Sequence, residues 1–321
     1  MPSWVDVHGH FYPPASDAER ETKWQAMIDG KFLVPKEATL WNPDSTIAYL
    51  DKAGVQMQML SNIPKTLTEL KASNDYASSV VRAHPTRFGF LAALPTDDPD
   101  AALDEIDRAA SKLGADGFAV TCHYNNVYLG DASLDKVWEE LNRRAATVFT
   151  HPNAYAPPSM GRPSPLIEVA FETARTVVDM VYAKTFLRFP NIQWIISHCG
   201  GSLPALSGRL KLLGAESWVP NPHNLTVDDI SNQLATLFVD TAATGTIETV
   251  APAVAMTGKQ HLVYGSDCGV PCSTEQTLEQ NRLALKKLSF LNGAEIEALG
   301  RRAFELFPSA KRRALAASND I

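Results

Sequence analysis

"VDVHGHFYPP" (residues 5–14) decides the fold. Val5, Asp6 and Val7 read as the end of a short buried strand, yet the strand delivers His8 and His10 with only Gly9 between them. Residues at i and i+2 of a strand share a side, so both imidazoles can address one point. Apolar, β-branched-rich runs of the same kind recur along the chain. They lie at Trp4 to Val7, Val55 to Leu60, Phe88 to Leu94, Gly117 to Thr121, Thr147 to Thr150, Ile192 to Ser197, Leu237 to Asp240 and His261 to Gly265. Segments with helical spacing separate them: Pro43 to Lys52 with Asp44 as its cap, Asp98 to Leu113, Leu134 to Arg144, Ser164 to Phe186, Pro204 to Leu213 and Thr274 to Leu288. Eight strands alternating with helices predict an α/β chain folded as a (β/α)8 TIM barrel. An open doubly wound sheet is the alternative, but no G-x-G-x-x-G follows the first strand. The segment from Pro13 to Asn42 is expected to form an N-terminal insertion over the barrel mouth, packed down by Trp24, Phe32 and Trp41. No linker or low-complexity stretch divides the chain, so residues 1–321 are expected to form a single domain.

The totals narrow the function. The 321 residues are 45% hydrophobic and 20% charged, enough for a sizeable core. A net charge of −7 argues against nucleic acid or an anionic membrane as partner. No run of about 18 apolar residues is present to span a bilayer, and no secretory signal is visible. Cys122, Cys199, Cys268 and Cys272 form no C-x-x-C pair, which suits reduced thiols in a cytoplasmic protein.

In a barrel of this kind, residues just past the C-terminal ends of the strands converge on one face. Strand one contributes His8 and His10, "FTHP" contributes His151, "IISHCGG" contributes His198, and "VYGSDCG" contributes Asp267. Three imidazoles and a carboxylate make a nitrogen/oxygen site for one divalent metal, Zn2+ first and Mn2+ as alternative, with room for substrate. His8, His10, His151 and Asp267 are the expected ligands. His198, followed by Gly200 and Gly201, is expected beside the metal as a proton carrier paired with Asp267. His123 in "VTCHYNN" is either a substrate contact or a surface histidine. No lysine ends a strand, so a bridged two-metal site is not expected. No G-x-S-x-G elbow is present either.

With these residues in place, the chain resembles the amidohydrolase superfamily, and within it the decarboxylase branch. "DVHGHFYPP" resembles that family's opening H-x-H-F-x-P, and residues 170–210, ending "IISHCGGSLPALSGRL", resemble its longest signature. "VDTAATG" and "VYGSDCGVP" resemble its last two strand motifs, and "RRAFELFP" its terminal helix, with Arg302 where the family usually has asparagine. The resemblance implies the ligand set above, His198 and Asp267 as catalytic residues, and Arg209 reaching a neighbouring subunit's site in a homodimer. His8, where the salicylate-type branch often has glutamate, points to the aminocarboxymuconate, isoorotate and methylsalicylate enzymes. "WNPDST" carries no arginine for a second carboxylate. A small hydroxylated aromatic monoacid of the 6-methylsalicylate or salicylate type is therefore expected, against Phe11, Tyr12, Trp41 and Met160. The implied reaction is non-oxidative decarboxylation: the ring carbon bearing the carboxylate is protonated by Asp267 or His198 and CO2 leaves. Isoorotate and aminocarboxymuconate semialdehyde are alternative substrates. A hydrolase of lactones is the alternative reaction, and a metal-stabilised binding protein the alternative class.

Overall fold

The computed structural model describes residues 3–29, 40–153 and 162–316. Eight parallel strands follow one another round a barrel: β1 (Trp4–His10), β2 (Val55–Ser61), β3 (Phe88–Ala93), β4 (Gly117–Thr121), β5 (Thr147–His151), β6 (Gln193–Ile196), β7 (Phe238–Asp240) and β8 (Leu262–Val263). Each strand pairs with the next. The circle closes where Val7 N–H donates to Tyr264 O (2.9 Å), Asp267 N–H to His8 O (3.0 Å) and His10 N–H to Cys268 O (2.7 Å). All eight expected strands are present, seven of them within a residue or two at each end, while β1 runs three residues further, to His10.

Two apolar layers hold the barrel. Inside lie Val5, Val7, Met57, Met59, Leu91, Ala119, Phe149, Ile195 and Val263. Phe307, from the C-terminal segment that resembles the family's terminal helix, and Ala310 just after that segment join this inner set. Arg302 of that segment donates to the carbonyls of Lys259 (3.0 Å) and Leu262 (2.7 Å), so its role is to tie the terminal helices to β8. A second layer, between strands and helices, includes Trp4, Leu60, Phe88, Trp138 and Trp194. This alternation is why the strands read as near-continuous apolar runs: both faces are covered.

Several local expectations are corrected. The helix Pro43–Ala53 is capped by Asn42, whose side chain accepts from Ser45 N–H, rather than by Asp44. Asp44 instead sits in the first turn, where a negative charge suits the helix dipole. Helices Leu67–Ala83, Val227–Ala235 and Ile247–Thr257 complete the β/α alternation. The stretch 164–186 is broken into Ser164–Leu166, Glu168–Tyr182 and Thr185–Arg188, with Lys184 in the left-handed region (φ 57°) at the second break. After β4 a small hairpin pairs His123–Tyr124 with Val127–Tyr128. Asn125 and Asn126 turn it at positive φ, the turn chemistry that an Asn-Asn pair allows.

The insertion forms the helix Asp17–Asp29, none of whose residues is buried. Trp41 anchors its end in a ring cluster with Phe11 (5.9 Å between centroids), Tyr76 (6.3 Å) and Phe88 (6.3 Å). Trp24 is half-buried, and Phe32 lies outside the described residues. Among the described residues no helix is long and apolar enough to cross a membrane.

Candidate metal centre

The chain-end irregularity of β1 builds the site. Val5 and Val7 point into the barrel, so strict alternation would send His8 and His10 outward. The pairing with β2 shifts register between Asp6 and Gly9, and His8 turns inward, edge-on to Phe149 at 4.9 Å. Re-aiming a side chain is what such an irregularity does. Asp6 stabilises it: fully buried, its carboxylate accepts from His8 N–H (3.0 Å), Ser266 N–H (2.9 Å), Ser266 Oγ (2.5 Å) and Gln58 Nε2 (2.7 Å). Gly9 is needed because the Gln58 side chain occupies the place of a Cβ, whose ideal position lies 2.2 Å from Gln58 Cδ.

His8 Nε2 stands 3.1 Å from His10 Nε2, and Asp267 Oδ1 lies 3.3 Å from the first and 3.2 Å from the second. Ligands about 2.0–2.2 Å from a tetrahedral ion sit roughly 3.3–3.5 Å from one another, so this triangle has the dimensions of a coordination sphere. Asp267 Oδ1 is buried and receives no hydrogen bond from the described residues. His151 completes the ring, with centroids 4.9 Å from His10 and 5.1 Å from His8. His8, His151, His198 and Asp267 each bring a ligating atom within 4.8 Å of the others. His198 differs in approach: its Nε2 is 3.7 Å from the other Asp267 oxygen, Oδ2.

Electrostatics agree with a cation here. Burial disfavours a charged His8, but the carboxylates of Asp240 and Asp267 outweigh it and push its pKa up to about 10. Burial, with His8 and His198 nearby, lowers His10 despite the Asp267 carboxylate beside it. His151 is held well below the usual imidazole range by burial and by the charges of His10, His8 and His198. Burial raises Asp267, yet the neighbouring imidazoles of His8, His10 and His198 hold it well below the usual carboxylate range. The crowd cannot all be protonated; one divalent ion satisfies it better. The donor set fits a divalent ion with a nitrogen-rich sphere.

The outer nitrogens are tied down. His151 Nδ1 bonds Pro152 O at 2.7 Å, and His8 Nδ1 bonds Asp240 Oδ2 at 2.7 Å. Asp240 is the residue the sequence reading passed over, although a carboxylate ending the apolar run Leu237 to Asp240 was the available signal. Two site residues stand in left-handed backbone, His198 (φ 52°) and Asp267 (φ 65°), and Cys199, Gly200 and Gly201 follow His198 at positive φ. Gly201 is obligatory, since a Cβ there would meet Ala170 O at 2.4 Å.

Other expected site residues lie elsewhere. Phe11 and Trp41 are buried in the ring cluster outside the barrel, and Tyr12 packs partly buried against the same layer. Met160 lies outside the described residues. Arg209 is exposed on the helix Leu203–Leu213, where it lines an apolar groove with Phe171, Leu206, Leu213, Trp218 and Arg175. His123 pairs with Glu172 at 3.1 Å and stacks on Tyr128 at 4.9 Å. Cys122 and Cys199 are fully buried small side chains, and burial pushes both thiols up to about 12.

The sequence profile described as amidohydrolase matches residues 5–307. The chain belongs to the amidohydrolase family. It is 31% identical to the decarboxylase macB of Penicillium terrestre, over 95% of this chain and 94% of that protein. It is 30% identical to the 6-methylsalicylic acid decarboxylase acuB of Aspergillus aculeatus, over 96% and 97%. Among solved structures, a dihydroxybenzoic acid decarboxylase from Polaromonas sp. JS666, with bound manganese and the inhibitor 2-nitroresorcinol, shares the fold. Its TM-score is 0.76 at 20% identity, covering 96% of this chain and 97% of that one. This amidohydrolase thus carries its histidine–aspartate cluster on the C-terminal face of the barrel.

Proposed function

We propose that this amidohydrolase is a metal-dependent, non-oxidative decarboxylase of a small hydroxylated aromatic acid of the 6-methylsalicylate or salicylate type. The observation that carries the reading is the division of labour on Asp267. Its Oδ1 faces His8 and His10, while its Oδ2 faces His198. His8, His10, His151 and Asp267 would hold one divalent ion, Zn2+ in our reading. Bound there, it would act as a Lewis acid toward the carboxylate and ortho oxygen of the substrate. His198, on the far oxygen of Asp267, would carry a proton to the ring carbon, and Asp267 would orient it. No redox cofactor is required, because the electrons of the broken C–C bond return to the ring. Relatives named as decarboxylases, matched nearly end to end, support the same reading.

The test is metal analysis followed by a CO2-release screen over salicylate, 6-methylsalicylate, 2,3-dihydroxybenzoate, γ-resorcylate and isoorotate. One metal per chain and CO2 release without incorporation of solvent oxygen are expected. Lactone opening without CO2 would sink the proposal.

We further infer that the chain works as a homodimer in the cytoplasm, folded as one domain. The groove beside Arg209 supports a second copy as partner: Trp218 is 67% exposed there and Phe171 46%. Arg209 would then serve the neighbour's site. Sedimentation velocity should give a dimer, and Trp218→Glu should shift it toward monomer. Phe11, Tyr12, Trp41 and Met160 would bind the acid.

A further inference from the structure

We propose that Asp240 is a positioning residue that sets, with its two oxygens, the hydrogen-bearing nitrogen of His8 and the backbone position of His198. This rests on the metal reading above. Asp240 ends β7, is fully buried, and touches both halves of the site.

The first half is the ligand. A carboxylate only accepts, so the contact of Asp240 Oδ2 with His8 Nδ1 (2.7 Å) places a hydrogen on Nδ1. The remaining nitrogen, Nε2, is the one turned toward His10 Nε2 and Asp267 Oδ1. Without Asp240 the imidazole is free to carry its single hydrogen on Nε2 instead, which would block coordination. Outer partners of this kind decide the tautomer and orientation of a metal-binding histidine.

The second half is the proton carrier. Asp240 Oδ1 accepts from His198 N–H (2.8 Å) and Ala242 N–H (3.0 Å). His198 and Cys199 stand at φ 52° and 56°, backbone that non-glycine residues avoid. The charge-assisted bond from Asp240 helps hold them there, with the His198 ring toward Asp267. Among the described residues His198 Nδ1 is buried without a hydrogen-bond partner, so the ring has none of the outer anchors that His8 and His151 possess there. Its placement depends on the backbone that Asp240 grips. One side chain therefore joins the ligand on β1 to the acid–base group after β6.

The discriminating substitution is Asp240→Asn. Its amide oxygen can go on accepting from His198 and Ala242 N–H, while its NH2 group now donates toward His8 Nδ1. The hydrogen of His8 is driven to Nε2, the coordinating atom. Zn2+ affinity, measured by chelator competition, is expected to fall about 10–100-fold, a change that a purely structural role would not produce in a folded variant. In the Zn2+-loaded wild-type protein, 15N NMR of the imidazoles should show the His8 hydrogen on Nδ1, its signals assigned by their loss in His8→Gln. This second measurement decides the matter if Asp240→Asn does not fold. Zn2+ binding by a folded Asp240→Asn within twofold of wild type, or a wild-type His8 hydrogen on Nε2, overturns the inference. A wild-type chain that binds neither Zn2+ nor Mn2+ overturns the metal reading and takes this inference with it.

Discussion

Replacing Gly9 by alanine should damage the site by a route that the two neighbouring histidines do not reveal. An ideal Cβ at position 9 would lie 2.2 Å from Gln58 Cδ, 2.4 Å from Cγ and 2.6 Å from Oε1, so the Gln58 side chain must leave. Leaving breaks its 2.7 Å bond to Asp6, a buried carboxylate, at a cost of about 1.5–3 kcal/mol. Overpacking adds roughly 1–3 kcal/mol. The total of about 2.5–6 kcal/mol corresponds to roughly 5–12 °C in Tm at about 2 °C per kcal/mol, the low end suited to a chain of this length. Calorimetry on metal-stripped protein is the assay, since bound metal would add its own stabilisation. The decisive comparison is a double-mutant cycle with Gln58→Ala. Once Gln58 is truncated, the methyl group added by Gly9→Ala occupies vacated space and its further cost should be near zero, giving a coupling equal to the whole cost of Gly9→Ala, about 2.5–6 kcal/mol. Costs that add to within about 0.5 kcal/mol would refute the steric argument.

Asp267→Asn should lower both bound metal and CO2 release, the latter by at least about 1000-fold, since it removes a ligand charge and the group facing His198; plasma emission spectrometry and a CO2 assay report the two. His198→Gln should keep one metal per chain while turnover drops about 10²–10⁴-fold, and a metal-free His198→Gln would reassign this residue as a ligand. The metal-stripped protein should lose stability between about pH 6.5 and 10. The raised pKa of His8, about 10, contributes stability that is complete below its unfolded value and disappears as pH rises through the folded one. Below about pH 6.5 the lowered values of His10 and His151 act oppositely, so stability should also fall as those groups are forced to protonate. Metal-loaded protein should lack the alkaline His8 loss, because the ion has taken the place of the proton; the difference in Tm between the two forms across pH is the measurement. Gly201→Ala should unfold at lower temperature than wild type, because its Cβ meets the Ala170 carbonyl and no flexible side chain can yield.

The eight strands were legible because both faces of a parallel barrel are buried, which writes each strand as an apolar run regardless of its neighbours. The same rule put His8, His10, His151, His198 and Asp267 on one face, since a barrel gathers its strand ends however far apart they lie in the chain. What sequence alone could not decide is how those side chains are aimed. Parity would have turned His8 away from the interior, and only the register shift against β2, supported by buried Asp6, brings it back. Asp240 read as the last residue of a strand until the fold set it 2.7 Å from a ring 232 positions away. Phe11 and Trp41 stand near the motif in sequence, and only the fold packs their rings together with Tyr76 and Phe88. Composition and periodicity determine which atoms are available at the mouth. Register, hydrogen bonds between distant strands and the competition for burial determine which of them face one another across the site.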